Sequence, residues 1–434
     1  MRIHRDERGQ TIILVALSLP LLLGFIGIAT DVGALFKDKR TMQTAADAAA
    51  IAAAQNLNYG TYVAAGKAAS AANGFTDASN GVTVTISDPP TWTSSNFYNK
   101  SGYVEATVTK SESTLFLALF GHSSIAVQAR AVATLGPGST CVYTLGPTGA
   151  DINVNNGASV NFSGCGILDD SNTSDALTVA WGSALTASSI GIVSPSWTNP
   201  HQGSITPPSP TVGIVPASDP LSYLSDPSYS TTNCSATWNI NSSGTFTPAS
   251  NGACYNGINV GLGAGGVNAT INNLGALVIN GPLIVGNGAK LTLGPGLYYI
   301  NGVFTAQSGT TLSGTGVTFF MASPSGQVNI ADASTINLTA PNSAGSTYNG
   351  ILFWQPANNT NPVVIGQAGG GAQLTLEGAI YAPGAQLSIS NGTGTNIYLD
   401  LVVKSLTAVG GSTLHSYESL SGVAPILTAP LLVE

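Results

Sequence analysis

Charge is the first thing this chain lacks. Of 434 residues only 7% are Asp, Glu, Lys or Arg, against about 25% in an ordinary globular protein. Solubility must then come from Gly, Ser, Thr and Asn. Val, Ile, Leu and aromatic residues recur throughout, which excludes disorder driven by high charge. Cations are scarcest in the larger, later part. Through Thr134, ten basic and nine acidic residues leave a net charge of +1. From Leu135 onward only Lys290 and Lys404 oppose eleven acids, a net charge of −9. Such a surface lacks the Lys/Arg footprint that neutralises phosphates, so no nucleic-acid partner is expected.

Cysteine is scarce as well. Cys141, Cys165, Cys234 and Cys254 are the only four. None forms a C-x-x-C, and no histidine stands at zinc-ligand spacing. An even count points to two disulfides where the chain lies outside the cytoplasm, as its N-terminal segment implies. Three connectivities are open; pairing Cys141 with Cys165 and Cys234 with Cys254 closes the shortest loops, and free buried thiols are the alternative.

What the chain does have begins with Thr11–Thr30, twenty residues without a charge. That is long enough to cross about 30 Å of hydrocarbon as a helix. Arg2, Arg5 and Arg8 precede it, and the positive-inside rule leaves the N-terminus in the cytoplasm. A cleavable signal peptide is the rival reading, but the run exceeds the usual 7–15 apolar residues and helical sequence continues beyond it. Pro20 lies mid-span, where it should kink the helix, and Gly24 and Gly27 put small residues on its later turns. Val32, Leu35, Phe36 and Met42 keep the helical period, followed by Ala45, Ala46, Asp47 and the Ala48–Ala54 block. Alanine favours the helix and offers a thin surface for close contacts. Unbroken to Leu57, this helix would be about 70 Å long.

The stretch RGQTIILVALSLPLLLGFIGIATDVGALFKDKRTMQTAADAAAIAAA resembles the N-terminal domain of the Tad/Flp pilus-assembly TadE/TadG-like family. The resemblance rests on a basic-Gly start, a Pro/Gly-containing apolar span, D-x-G after it, and an A-A-D-A-A-A block; Asp31, Gly33, Gln43 and Asp47 carry the match. It implies an inner-membrane protein of the tight-adherence (type IVc) pilus system, with other Tad pilus-assembly membrane proteins as partners through the N-terminal helix. Pilins cut by a prepilin peptidase typically carry Glu five residues after the cleavage glycine. Counting from Gly9, that position holds Leu14, which favours a TadG-like, uncleaved protein.

Beyond the anchor, Ala64–Ala72 reads as a short helix. Val82, Val84 and Ile86 alternate with polar residues, as do Val104, Ala106 and Val108, which predicts half-buried strands. Thr114–Phe120 predicts a short apolar helix with Ser113 as N-cap and Gly121 past its end. Ser124–Thr134 predicts a third strand. A long helix followed by a small antiparallel sheet is the plan of pilin-like folds, a step of analogy.

From about Cys141 short β runs alternate with Gly, Asn, Ser and Pro. Examples are Pro282–Val285, Lys290–Leu293, Leu297–Ile300 and Val317–Met321. The turns come too often for a sandwich with a strand every 8–12 residues. They suit a right-handed parallel β-helix with coils of roughly 20–25 residues, and an irregular β-sandwich is the alternative. Asn156-Gly157, Asn280-Gly281, Asn287-Gly288 and Asn301-Gly302 fit coil corners that ask for φ > 0.

The expected fold is therefore mainly β with an N-terminal long α-helix. Residues 1–10 form a cytoplasmic basic N-terminus, 11–30 a transmembrane helix, 31–57 its extension and 58–134 a small pilin-like α+β segment. Residues 135–415 form the β-helix-like domain, with an excursion around 195–255, and 416–434 a tail that caps an end or wanders.

Catalysis finds little footing. A pectate-lyase-like elimination wants a calcium-binding Asp cluster and a base that is often Arg, and no Arg follows Arg130. Glycoside hydrolysis needs two carboxylates about 5–9.5 Å apart. Asp169 and Asp170 are adjacent, but alternation turns them to opposite faces of a strand; Asp332, Glu377 and Asp400 stand alone. His4, His122, His201 and His415 are scattered. Gly263–Gly266 and Ala368–Ala372 lack the Lys of a phosphate loop. Tyr298, Tyr299, Phe319, Phe320, Phe353 and Trp354 read as core stacks rather than a sugar platform. The expectation is a non-enzymatic, single-pass protein of the bacterial inner membrane, without cofactor or metal. Its β domain would stand in the periplasm or at the surface, within reach of envelope or surface polysaccharide. A polysaccharide-active or polysaccharide-binding β-helix is the alternative.

Overall fold

In the computed structural model the apolar N-terminal stretch is one helix, α1 (Arg8–Gln55), 48 residues with Pro20 inside it. Its length is about 70 Å at about 1.5 Å per residue. The structure describes residues 8–434 except 138–139, 264–265, 323, 331–334, 343–347, 367–372, 392–395, 412, 418–419 and 421–426. The basic start with Arg2, Arg5 and His4 lies outside the described residues, as do Asp332 and Ala368–Ala372. The chain forms two compact units, Met1–Gly136 with Ala429–Glu434, and Pro137–Thr428.

In the first unit the alanine block does what small side chains allow. Met42, Ala45, Ala46, Ala49, Ala50, Ala53 and Ala54 are fully buried. They pack on the inner faces of β1 (Val82–Ser87), β2 (Tyr103–Ser113) and β3 (Ser124–Pro137), which present Val84, Val108 and Ala129 among others. The three strands are antiparallel, with Val84 opposite Val108 and Val108 opposite Ala129. The short helix α2 (Tyr62–Ala72) closes on α1 through Gly66, where a Cβ would press on Ile86 and the Ala49 carbonyl. The stretch read from sequence as a tail ends in a strand, Thr428–Leu432, that lies beside β3 as the fourth strand of this sheet. The second unit is thus inserted, in chain order, between two neighbouring strands of the first.

The second unit is a parallel β-solenoid of about 10 turns, and the irregular β-sandwich is set aside. Three strands make a coil. Trp238–Ile240, Ile258–Val260 and Leu283–Val285 stack in one sheet, Gly244–Phe246, Asn268–Ile271 and Lys290–Leu293 in the next, and Ala253–Tyr255, Ala276–Ile279 and Gly296–Ile300 in the third. Side-chain hydrogen bonds run between successive coils at separations of 20 or 21 residues, as in Asn259–Asn239, Asn301–Asn280 and Gln386–Thr407. Alternation within each strand sends Leu291, Leu312, Ile336 and Leu374 inward. Tyr298, Phe319 and Phe353 form an interior stack with centroids 5.5 and 5.1 Å apart.

Two of the Asn-Gly corners do not serve the purpose expected of them. Asn156 and Gly157 do take positive φ, at 52° and 82°, and so does Gly288, at 66°. Gly281 and Gly302, in contrast, are glycine because of close approach. A Cβ on Gly281 would strike the Asn256 carbonyl of the coil beside it, and one on Gly302 would strike Gly281.

The coils are not stacked in chain order. Thr140–Thr144, Ile152–Asn155 and Ser159–Phe162 make the first coil, and Gly166–Asp169 with Leu177–Val179 and Ala184–Ala187 the second, with Ile190–Ile192 beyond it. After Val212 the chain leaves the stack and returns at Trp238 on the opposite end. It then winds back until Leu401–Val403 pairs with Val142–Thr144 and Leu406–Val409 with Ile152–Asn155. The last coil therefore meets the first in the middle of the stack.

The connecting segment runs along the outside of one sheet. Its path is marked by the Ala217 N–H donating to Asp170, Tyr381 Oη donating to Asp219, Trp354 Nε1 donating to Asp226, the Tyr229 ring on Tyr299, and the Cys234–Cys254 disulfide. Leu221 and its neighbours cover the outward aromatics Phe320, Trp354 and Tyr381. The excursion expected around 195–255 is shorter than that: Ser204–Thr206, Thr211–Val212, Trp238–Ile240, Gly244–Phe246 and Ala253–Tyr255 are strands of the stack, and the segment between Val212 and Trp238 is the strap that leaves it.

Candidate functional site

The residues that α1 carries in the match-bearing stretch meet the rest of the first unit at its point of attachment. Residues 14–26 of the helix touch almost nothing and are largely exposed. Contact begins at Gly27, where a Cβ would overlap the Phe116 ring. Four residues on, the buried Asp31 carboxylate accepts three backbone N–H groups, from Leu115 at 3.1 Å and from Phe116 and Leu117 at 2.7 Å each. These are the free donors of a 3₁₀ turn, Leu117–Phe120, closed by Gly121 at φ 88°. Sequence reading assigned that cap to Ser113 and the whole of Thr114–Phe120 to the helix. The turn is shorter, and its cap comes from α1, because a carboxylate satisfies several orphan donors at once.

Further along, Gln43 Nε2 donates to Asp47 Oδ1 at 2.8 Å and to the Arg130 carbonyl on β3 at 2.9 Å. Gln43 thus ties the helix to the sheet, and Asp47, one turn on, orients Gln43. Gly33 faces open space on the exposed side of α1. Of these four residues, Asp31 holds the turn between β2 and β3, Gln43 reaches β3 with Asp47 beside it, and Gly33 faces open space.

Arg130 organises the sheet's other face. Its Nε donates to Glu105 Oε2 and one terminal nitrogen to Glu434 Oε1, each at 2.8 Å, while its guanidinium lies over the Trp92 ring. Glu434 also accepts from Ser95 Oγ at 2.6 Å. Arg130 first and Ser95 second hold the Glu434 carboxyl below the usual carboxylate range. Sequence gave no signal for this array, since its members are spread from Trp92 to Glu434. Beside Asp31, an apolar groove of about 270 Å³ opens between α1 and β3, lined by Val32, Leu35, Phe36 and Ile125 with Lys39 at its edge.

In the solenoid the carboxylates worth attention are Asp151, Asp169 and Asp170. Asp169 points inward and is fully buried, with Oδ1 accepting the Ser171 N–H at 3.0 Å. Asp170 points outward to the strap, so alternation does part the two. Asp151 is also buried, against Gly146. Burial first, then the charge of Asp169, pushes the Asp151 carboxyl up to about 8. Burial pushes Asp169 up to about 7, against the pull of the Ser171 N–H. Among the described residues no group of three or more His, Cys, Asp or Glu is arranged to hold a metal ion. Glu377 and Asp400 occupy neighbouring coils, in strands where Glu377 pairs with Tyr398 and Ala379 with Asp400. Cys141 is bonded to Cys165 and Cys234 to Cys254, the pairing that closes the shortest loops.

Residues 9–56 match the Tad family model described as Flp pilus-assembly TadE/G-like. The matched stretch is α1 with Asp31, Gly33, Gln43 and Asp47, and it stops short of the solenoid. Neither a curated protein nor a solved structure matches the chain.

Proposed function

We propose that this chain is a membrane-anchored, non-enzymatic structural or assembly component of a Flp pilus system, displaying a β-solenoid outside the cytoplasm. The TadE/G-like match at residues 9–56 carries the reading. Its physical counterpart is a helix with two characters. One stretch is long and apolar enough to cross a membrane and has no protein around it. The other is the alanine-faced spine of a folded unit. Two disulfides in the solenoid fit an oxidising compartment. In this reading α1 crosses the inner membrane with its basic end in the cytoplasm, and partner membrane proteins of the pilus machinery pack against its exposed turns and the Val32–Phe36 groove. The full chain in its native envelope should fractionate with the inner membrane, resist carbonate extraction and co-purify with pilus-assembly proteins. A soluble form beginning after about residue 30 would place the anchor reading in error.

One surface favours a second reading. Thr245, Thr270, Thr292, Ser313, Asn337 and Thr375 form an outward column, one per coil. Such a neutral, regularly spaced row of hydroxyls and amides suits contact with an envelope polysaccharide. Binding of the detergent-solubilised chain to immobilised envelope glycans, lost on Thr292→Lys, tests it.

A further inference from the structure

We propose that the turn joining β2 to β3 is a second membrane contact, with Leu115, Leu119 and Phe120 entering the acyl region of the leaflet from which α1 emerges. The inference rests on the reading of α1 as a membrane span.

Turns between strands are ordinarily polar, because their backbone needs water and their side chains face it. This one reads Thr114-Leu-Phe-Leu-Ala-Leu-Phe-Gly121 and carries no Asp, Glu, Lys or Arg. Leu115, Leu119 and Phe120 are 73, 81 and 65% exposed. Three large apolar side chains uncovered on one short turn make a patch that needs a partner.

Depth identifies the partner. The Phe116 ring rests on Gly27, inside the uncharged run that ends at Thr30. From Gly27 to Asp31 is about 6 Å along the axis at about 1.5 Å per residue. The turn is therefore held roughly one helical turn below the edge of the apolar span, within the about 5–10 Å to which interfacial segments bury. At that level Phe25, Ile26, Ala29 and Thr30 are exposed, so the turn lies alongside the span at the depth of the acyl chains.

The backbone is prepared for such a medium. Non-helical chain enters hydrocarbon only when its polar groups are satisfied within the protein. Asp31 takes the N–H groups of Leu115, Phe116 and Leu117. Leu119 and Gly121 donate to Phe116 and Ala118, His122 to Leu117, and the Thr114 hydroxyl to the His122 carbonyl. In water that degree of internal pairing is unnecessary. At a bilayer edge it is required.

The test uses the full chain in nanodiscs of phosphatidylethanolamine and phosphatidylglycerol. The four native cysteines are disulfide-bonded, so a single added cysteine takes a nitroxide label cleanly. Labels at Leu119→Cys and Leu115→Cys are compared with Phe25→Cys in the span and Asn96→Cys on a polar loop of the same unit. Power saturation should find 115 and 119 open to oxygen and closed to a nickel chelate, like 25 and unlike 96. Nickel access at 115 and 119 equal to that at 96 overturns the inference. Exclusion of both reagents there overturns it too, because protein rather than lipid then covers the turn. Nickel access at 25 overturns the span reading itself, a result distinct from the other two.

Discussion

Tyr143, on the first coil of the solenoid, pairs in parallel register with Val402, on the last. Most coils of a solenoid rest on the coil made just before them, so stability propagates along the chain as along a one-dimensional array. Here two coils far apart in sequence supply each other's missing neighbour. The buried faces at this seam, with Val142 against Leu401 and Ile152 against Leu406, stay open to water until both ends of the unit have formed. Such long-range closure slows folding, because the loop entropy must be overcome before the contact rewards it.

The seam should be fragile to truncation of its side chains. Leu401 is fully buried between Ile380 and Val142. Leu401→Ala should destabilise the solenoid by about 2–5 kcal/mol, the usual range for a buried leucine. Hydrogen exchange followed by mass spectrometry should show Thr140–Thr144 losing protection along with residues 396–403. Loss confined to residues 396–403 would mean that the first coil does not depend on the last.

Replacing Asp31 by Ala should release the turn without unfolding the first unit, since the alanine face of α1 stays packed. The amides of Leu115, Phe116 and Leu117 should then exchange faster by on the order of tenfold or more, the scale of one lost charge-assisted hydrogen bond. Amides of β1 should hardly change. Unchanged exchange at all three turn amides would show that Phe116 on Gly27 holds the turn alone.

The buried acid pair predicts a pH dependence of definite sign. Asp151 at about 8 and Asp169 at about 7 both lie above the ordinary aspartate value of 3.8. Between those limits the native state holds protons that the unfolded chain has released. Stability therefore falls as pH rises from about 4 to about 8 and levels off above that. Thermal unfolding of the solenoid at a series of pH values should show its melting temperature dropping across this window, with a shallower drop for Asp151→Asn. A profile that rises with pH would mean that the pair is ionised in the folded state.

The chain should turn over neither pectin, alginate nor peptidoglycan. General acid–base catalysis asks for an activated group with a partner in reach of substrate. The raised carboxyls of Asp151 and Asp169 are buried, and Asp170 is engaged with the strap. Release of reducing ends or unsaturated products, abolished by Asp170→Asn or Glu377→Gln, would overturn the non-enzymatic reading.

Much of this architecture was legible in the sequence, and the rest was hidden for physical reasons. The alternation at Val82–Ile86 and Val104–Val108 located β1 and β2 because a half-buried strand must alternate. Turn spacing revealed coils of the right length because each coil repeats the same three short strands. Neither signal carries the order in which coils stack: a parallel ladder such as Leu401–Val142 looks the same from either strand. The cap on the turn escaped detection because Asp31 and Leu117 lie 86 positions apart, and local capping rules search only a few residues. The last strand was missed because Thr428–Leu432 is short and contains Pro430, which is tolerated at a sheet edge. At Asn280-Gly281 and Asn301-Gly302 the pattern marked the corner correctly but for the wrong cause, since close approach of neighbouring coils leaves no trace in a single sequence.

The strap between Val212 and Trp238 is the sole peptide linkage across the seam. On one side it holds Asp170, on the other Tyr381, Trp354 and Tyr299. A protease cut near Leu221 would therefore divide the solenoid into two polypeptides whose halves still share a ladder, a sealed interior and a covering of aromatic rings. The natural fold thus contains a ready division into complementing fragments, which could be expressed apart and reassembled, with Tyr143 and Val402 meeting as strangers rather than as parts of one chain.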